Sequence, residues 1–283
     1  MKIIDGQFLA DSIKQKLAIQ VHARSDRPGL AIILVGDDPG SHVYVNLKKR
    51  AAEYIGIDFH LYTFAADAKA EEIEQALDWL NADDSIDGIL IQLPLPSHLD
   101  EDKLVARIAP TKDADGFHPL NIKRYLAHEP DTQAPGLIEG IMILIQQTQP
   151  NIKGLHAAVC ANSSIFALPL TEALEQQGAQ VTTFLRPMPS DAKKMQSFDI
   201  IILAVGKKYF LEAENAKNDA MIIDVGYNRD IDGISGDAHL DSFHDTDVAI
   251  TPVPGGVGPM TVAILLKRVT ELHDRRNKNL ILQ

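Results

Sequence analysis

The sequence predicts an α/β protein of two domains, the second built around a doubly wound parallel sheet. Three observations predict it. Short apolar runs alternate with segments of helical spacing, Gly and Pro close most of those runs, and 283 residues suffice for two separate cores.

The first clear strand is Leu30 to Val35 (LAIILV), an unbroken apolar run of the kind buried on both faces of a sheet, ended by Gly36. The turn Asp37-Asp38-Pro39-Gly40 follows, and Ser41 is the predicted N-cap of a helix reaching about Ile55. A strand over His60 to Phe64 leads to a helix over Ala70 to Asn81, where Ile73, Leu77 and Leu80 recur at helical spacing. Gly88 to Leu93 (GILIQL) is the next strand, closed by Pro94 and Pro96. A helix near Glu139 to Gln147 opens a second series. Its strands are predicted at Leu155 to Cys160, Gln180 to Phe184, Ile200 to Val205, Met221 to Val225 and Val248 to Thr251. The helix around Pro169 to Gln177 completes a βαβ unit. A last helix, Met260 to about His273, follows a Gly/Pro-rich link. The predicted domains are residues 1–120, completed by the C-terminal helix 260–283, and residues 121–259, with the boundary near Phe117 to Tyr125.

The net charge of −12 argues against a nucleic-acid surface, which needs a basic stripe. A small anionic ligand is still compatible, because a local cluster such as Lys48-Lys49-Arg50 acts alone. The single Cys160 excludes an intramolecular disulfide framework and suits a reducing compartment. The N-terminus MKIIDGQFLADSIKQ lacks a secretory pattern, and no apolar run reaches the length of a membrane span. A soluble, cytoplasmic protein is expected.

Candidate chemistry begins on the first long helix. Tyr44 and Lys48 stand four apart and share a face, so the hydroxyl can position an amine whose pKa desolvation lowers. Lys49 and Arg50 follow directly, so a merely solvated basic face fits the same spacing. Gln92 sits among apolar residues near the carboxyl end of a strand, where open α/β sheets bind ligands, and a buried amide needs partners. A packed core glutamine would satisfy that need equally. Asp113 and Asp115 lie in the turn-rich KDADGFHP, where a carboxylate either closes an Asx-turn or accepts two hydrogen bonds from an amino-pyrimidine edge. His118 in such a turn is expected to bond backbone. The stretch TPVPGGVGPMT, Thr251 to Thr261, fixes an unusual backbone that a ligand can approach closely, with Thr261 either capping the next helix or meeting that ligand.

Taken in order, IIDG (Ile3 to Gly6), VGDDPGSHVYVNLKK, DGILIQLPLP, KDADGFHPLN, AVGK (Ala204 to Lys207), IDVGYNR and TPVPGGVGPMT resemble the bifunctional methylenetetrahydrofolate dehydrogenase/methenyltetrahydrofolate cyclohydrolase family over nearly the whole chain. The resemblance implies a folate-binding catalytic domain, a Rossmann-type dinucleotide-binding domain and a ligand cleft between them. It implies NADP-dependent oxidation of 5,10-methylenetetrahydrofolate to the methenyl form, and hydrolysis of that product to 10-formyltetrahydrofolate. It further implies a place in one-carbon metabolism and purine biosynthesis, a cytoplasmic homodimer with tetrahydrofolate derivatives as its partners, and no metal. By the same resemblance Lys48 is the catalytic lysine, Tyr44 its partner, Gln92 the amide that tunes it and Asp115 the pterin anchor. Tyr44 and Asp115 bind substrate together with Pro254, Gly255 and Gly256. Ala161, Asn162, Ser163, Arg186 and Tyr227 take the cofactor.

Departures from the family pattern concentrate in the cofactor half. The phosphate-binding turn reads Ala161-Asn162-Ser163-Ser164-Ile165-Phe166-Ala167-Leu168-Pro169, with alanine at both positions where the family carries glycine. A Cβ where the backbone needs positive φ or close approach obstructs a dinucleotide. Leu168 offers no charge to a 2′-phosphate, and Leu185-Arg186-Pro187-Met188-Pro189 leaves Arg186 as the one nearby cation. Pro135-Gly136-Leu137-Ile138-Glu139-Gly140 replaces the family's Pro-Cys-Thr-Pro-x-Gly, altering part of the expected cleft wall. These changes predict measurable but weakened NADP use. A cyclohydrolase alone, or a non-catalytic folate-binding paralogue, stays open at this point.

Overall fold

The structure is a computed structural model and describes residues 1–186, 192–231 and 233–281. Pro187, Met188 and Pro189 lie outside the described residues, as does the end of the predicted 260–283 helix beyond Ile281. The chain forms two compact units, one of Asp11–Gly136 with Val262–Gln283, the other of Met1–Ala10 with Leu137–Thr261. Both are α/β.

The last helix returns to the first unit from Val262, within two residues of the expected 260, but the first ten residues leave that unit and its other division falls after Gly136, not near 120. The chain opens with β1 (Lys2–Ile3) and α1 (Gly6–His22). The two residues of β1 pair in parallel with the last strand of the second unit, Lys2 opposite Ala249 and Ile3 opposite Ile250, so the first ten residues belong there. So short a strand has no periodicity for a sequence reading to find. At the other division, Phe117 to Tyr125 is no linker but mostly a helix, which keeps that segment in the first unit.

The first unit holds a three-stranded parallel sheet ordered β3-β2-β4, from β2 (Gly29–Val35), β3 (Asp58–Phe64) and β4 (Gly88–Ile91). Every residue of β2 is buried, and successive side chains leave opposite faces of the sheet. Leu30, Ile32 and Leu34 join one cluster with Val45, Ile55, Leu265 and Val269. Ala31, Ile33 and Val35 join another with Ile73, Leu77, Leu80 and Leu104. The helices supplying these clusters include α1, α2 (Pro39–Ile55), α3 (Ala70–Ala82), α4 (Glu101–Val105) and the last helix of the chain, and α5 (Pro119–Leu126) follows in the same unit. The cap of α2 corrects the sequence expectation. Asp38, not Ser41, is the N-cap; its carboxylate accepts from the Ser41 N–H at 2.7 Å, with Pro39 in the first turn where a missing N–H costs nothing.

The second unit holds a six-stranded parallel sheet ordered β1-β11-β8-β7-β5-β6. Its elements are α6 (Gly136–Thr148), β5 (His156–Ala161), α7 (Ser164–Gln176), β6 (Gln180–Leu185), β7 (Ile200–Ala204), β8 (Met221–Asp224) and β11 (Ala249–Ile250). A small antiparallel hairpin, β9 (Asn228–Asp230) with β10 (Gly233–Ser235), follows β8. The chain steps outward from β5 to β6 and then returns to place β7 on the other side of β5, so the strand order reverses between β5 and β7. In open α/β sheets ligands bind at such a reversal, beyond the carboxyl ends of the strands. The helix expected from Pro169 begins five residues earlier, capped by Ser163, whose hydroxyl accepts from the Ile165 N–H at 3.2 Å. The last helix, α8 (Val257–Ile281), is longer than expected at both ends, and from Val262 its residues count with the first unit. No helix among the described residues is long and apolar enough to cross a membrane.

One buried carboxylate ties α8 to the first unit's sheet. Asp87 accepts from the Gly29 N–H at 2.8 Å and from His273 Nδ1 at 3.0 Å, and Arg276 Nη1 lies 3.0 Å from its other oxygen. Asp87→Ala leaves His273 and the Gly29 amide without that acceptor, and breaking a buried charged network typically costs about 3–5 kcal/mol. Urea unfolding of the variant should show a loss of at least about 3 kcal/mol; a loss under about 1 kcal/mol would show that the network does not hold the helix.

Candidate functional site

The structure brings Lys48 and Gln92, 44 residues apart in sequence, into one hydrogen bond. Lys48 Nζ donates to Gln92 Oε1 at 2.7 Å. Gln92 follows the last residue of β4, and its backbone N–H continues the ladder to Ile33 O at 2.8 Å. Its side-chain NH₂ donates to Leu93 O at 2.7 Å, which fixes the amide with its oxygen towards the lysine. Burial holds the Lys48 amine below its ordinary pKa of 10.5, and the Asp115 charge pulls the other way. Tyr44 lies one turn earlier on α2, half-buried.

Asp113 and Asp115 separate into two roles. Asp113 is buried and accepts from the backbone N–H groups of Gly116 and His118 and from Asn121 Nδ2, all at 2.9 Å. It is the carboxylate that builds the turn. A parallel bridge between Asp113 and Ile89 aligns this segment with β4. Asp115 is open to solvent on one side while protein crowds the rest, and burial raises its carboxyl above the ordinary 3.8. Lys48 lowers it, Asp113 raises it further and Arg268 lowers it. His118 behaves as expected of a turn residue, accepting at Nδ1 from the Leu120 N–H and lying 3.2 Å through Nε2 from Ala106 O.

Burial disfavours the charged form of Lys48, and Gln92 is the side chain that its amine meets. Competitive acylation across pH should find Lys48 titrating below the exposed lysines. Gln92→Glu places an anion at the same position and should raise the Lys48 pKa by about 1–3 pH units. An unchanged titration in that variant would separate Gln92 from the lysine's ionisation.

In the second unit, four of the five residues expected to take the cofactor gather where the strand order reverses. Ala161 ends β5 in register with Leu185 and Ala204. The Asn162 side-chain amide donates to Val205 O, and Arg186 Nη2 donates to the same carbonyl at 3.2 Å. Ser163 caps α7. Tyr227 is exposed in the loop after β8. Neither alanine of this turn has positive φ; among the described residues only His128, Asp131 and Tyr209 do so without being glycine. Ala161 and Ala167 are 0% and 1% exposed, so their Cβ atoms face the core, while Asn162, Ser163 and Ser164 face solvent. The obstruction expected from the sequence is therefore absent at both positions, and the turn fits a pyrophosphate at a helix N-terminus. Leu168 is exposed and uncharged, as the sequence indicates.

Sequence reasoning passed over two buried acids here. Asp237 accepts from the backbone N–H groups of Val205, Gly206 and Lys207 and from Asn228 Nδ2, shaping the loop after β7. Asp224 accepts from Gly226, Asp237 and Ala238, shaping the loop after β8. Their partners are backbone amides, which leave no mark on sequence beyond an Asp within an apolar run. Burial pushes the Asp224 carboxyl up to about 7 against the opposing pull of these amides. It binds a proton more readily folded than unfolded, so its favourable contribution is complete below about 3.8 and is lost as pH rises through about 7. Thermal unfolding of the parent should show stability falling between these limits, and Asp224→Asn should flatten that slope. Equal slopes in the two proteins would assign the pH dependence to other groups.

Pro254, Gly255 and Gly256 also lie in the second unit. Gly255 has φ +110°, and its carbonyl accepts from the Gln7 N–H at 2.9 Å. A Cβ on Gly6 would lie 1.9 Å from the Gly256 carbonyl oxygen, so only glycine lets α1 begin this close to the loop. Thr261 does not cap α8; it sits within the first turns, exposed, with its hydroxyl donating to Gly258 O at 2.7 Å.

Residues 4–115 match the family of the tetrahydrofolate dehydrogenase/cyclohydrolase catalytic domain, and residues 135–277 match its NAD(P)-binding domain. The chain is 41% identical to the bifunctional protein FolD of Magnetococcus marinus over 274 residues, 95% of this chain and 96% of that one. Its fold superposes on the FolD methylenetetrahydrofolate dehydrogenase/cyclohydrolase of Campylobacter jejuni with a TM-score of 0.92 at 34% identity, covering 98% and 99% of the two chains. The FolD of Trypanosoma brucei, solved with NADP cofactor and inhibitor, gives 0.91 at 31% identity over 97% of each. With both domains matched in order along one chain, this protein belongs to the tetrahydrofolate dehydrogenase/cyclohydrolase family and is an enzyme of one-carbon folate metabolism with both activities.

Proposed function

We propose that Lys48 performs the proton transfers of the folate chemistry, that Gln92 and Tyr44 position it, and that Asp115 anchors the pterin, with NADP as the oxidant. The observation that carries this reading is the 2.7 Å bond from Lys48 to Gln92, made by an amine that burial holds below its ordinary pKa. In the hydrolysis, water adds to the methenyl carbon while the neutral amine takes its proton. The ammonium so formed returns a proton to the folate nitrogen, the carbon–nitrogen bond breaks, and the adduct's hydroxyl loses its proton to solvent as the formyl C=O of 10-formyltetrahydrofolate forms, one proton being released overall. In the oxidation, bound NADP supplies the hydride acceptor. The product cation is stabilised by its adjacent nitrogens, so the protein's part is to hold the folate in place, and Asp115 does so without proton chemistry of its own.

The buried Cβ atoms of Ala161 and Ala167 support dinucleotide binding of ordinary strength over a cyclohydrolase acting alone. Arg186 is the cation available to a 2′-phosphate, which favours NADP over NAD. Pro254, Gly255 and Gly256 offer main-chain groups to the folate. The resemblance also supports a homodimer in the cytoplasm, serving purine biosynthesis; light scattering at twice the mass of one chain would bear out the dimer.

Lys48→Met keeps the length of the side chain and removes the titratable amine. Methenyltetrahydrofolate hydrolysis should fall at least about a hundredfold, with NADP binding unchanged. Hydrolysis within a few-fold of the parent, in a folded variant, would remove Lys48 from the mechanism.

A further inference from the structure

At the amino-terminal end of β4 the first unit contains a cavity of about 430 Å³, bordered by the loops around Pro110 to Gly116 and Asp131 to Gln133 and by the last turns of α8. It is distinct from the lysine site. Asp87 borders the cavity and Gln92 meets Lys48, and five residues of strand separate them by about 17 Å.

The lining is basic in a chain whose net charge is −12. Lys112, Arg124, Arg268, Arg275 and Arg276 border it against three carboxylates. Two of those carboxylates are committed to the protein: Asp87 to Gly29, His273 and Arg276, and Asp113 to the turn it builds. Lys112 donates to the carbonyls of Leu80 and Asp83, and Arg276 to that of Asp84, so these cations form the wall. Two arginines at the rim are differently placed. Arg275 is exposed and has no polar partner among the described residues. Among the described residues Arg124 pairs only with Glu129, at 2.8 Å, and both side chains are more than 40% exposed, a kind of pair worth little. Beyond the rim, the half-buried Leu272 gives the cavity apolar surface.

We propose that this cavity is a second ligand site, separate from the folate and dinucleotide sites, for a small organic phosphate, with the phosphoryl group held by Arg124 and Arg275 and the organic part against Leu272. A terminal phosphoryl group presents three oxygens and takes two guanidinium forks at once, whereas a carboxylate is filled by one. Thr111, exposed at the rim, adds a hydroxyl donor. Asp131 is the one lining carboxylate with no partner among the described residues, held at φ +60° on the rim, and it opposes the ligand's charge.

The test is calorimetric titration of the full chain, saturated with NADP, by ribose 5-phosphate, inorganic phosphate and citrate. Ribose 5-phosphate should bind one per chain and more tightly than inorganic phosphate, because only the ester uses the apolar wall. The double variant Arg124→Ala, Arg275→Ala should weaken it at least about tenfold, the loss of one or more charge-assisted hydrogen bonds. Asp131→Asn should tighten it. The paired opposite effects distinguish a site from a folding defect, since a damaged unit cannot gain affinity. Absence of binding beside NADP, binding indifferent to both variants, or citrate binding as tightly as the ester would each overturn the proposal.

Discussion

Buried aspartates that accept backbone N–H groups are the interaction on which both halves of this protein depend. A parallel strand that stops short of a ligand leaves amides that neither the sheet nor the core can satisfy, and each one buried without an acceptor is costly. Asp237 gathers three consecutive amides after β7 and Asp224 gathers three around the loop after β8. Asp113 does the same with two amides beside β4. The side chain of Asp115, two residues on, takes no part in building the loop and stays open to solvent on one side.

Lys48 depends on this arrangement indirectly. Its amine meets Gln92 only because β4 ends where it does, and Gln92 presents its oxygen because its own NH₂ is held by Leu93. Burial that would otherwise favour an uncharged amine is opposed by Asp115. The lysine therefore sits between two influences of opposite sign, each fixed by a different loop. An amine so balanced is suited to the proton transfers proposed for it.

Much of this was legible in the sequence. LAIILV could only be a strand buried on both faces, and the structure gives each face its own cluster. The spacing of Tyr44 and Lys48 placed them correctly on one helix, and the position of Gln92 after a short apolar run placed it at a strand end. What was not legible depends on distant partners. Nothing local pairs Lys2 and Ile3 with residues almost 250 positions later. α1, by contrast, was legible and passed over: Asp5 stands before Gly6 with its carboxylate accepting from the Phe8 N–H at 2.9 Å, and apolar residues recur at positions 9, 13, 17 and 21. The alanines of the phosphate turn show the reverse error. A pattern defined by glycine suggests that any Cβ obstructs, but the direction in which each Cβ points decides, and both point into the core.

The pairing of β1 with β11 also bears on how the chain folds as it is made. β1 completes the edge of a sheet whose neighbouring strand is encoded almost 250 residues later. At typical elongation rates of about 5–20 residues per second, β1 waits for roughly ten seconds to a minute before its partner exists. The first unit waits too, since it includes residues from Val262 onward. The second unit has all its residues by Thr261, whereas the first has its three strands by Ile91 but lacks the part of α8 from Val262 onward that covers them. That wait is when the chain is most exposed to misassembly and most dependent on chaperones.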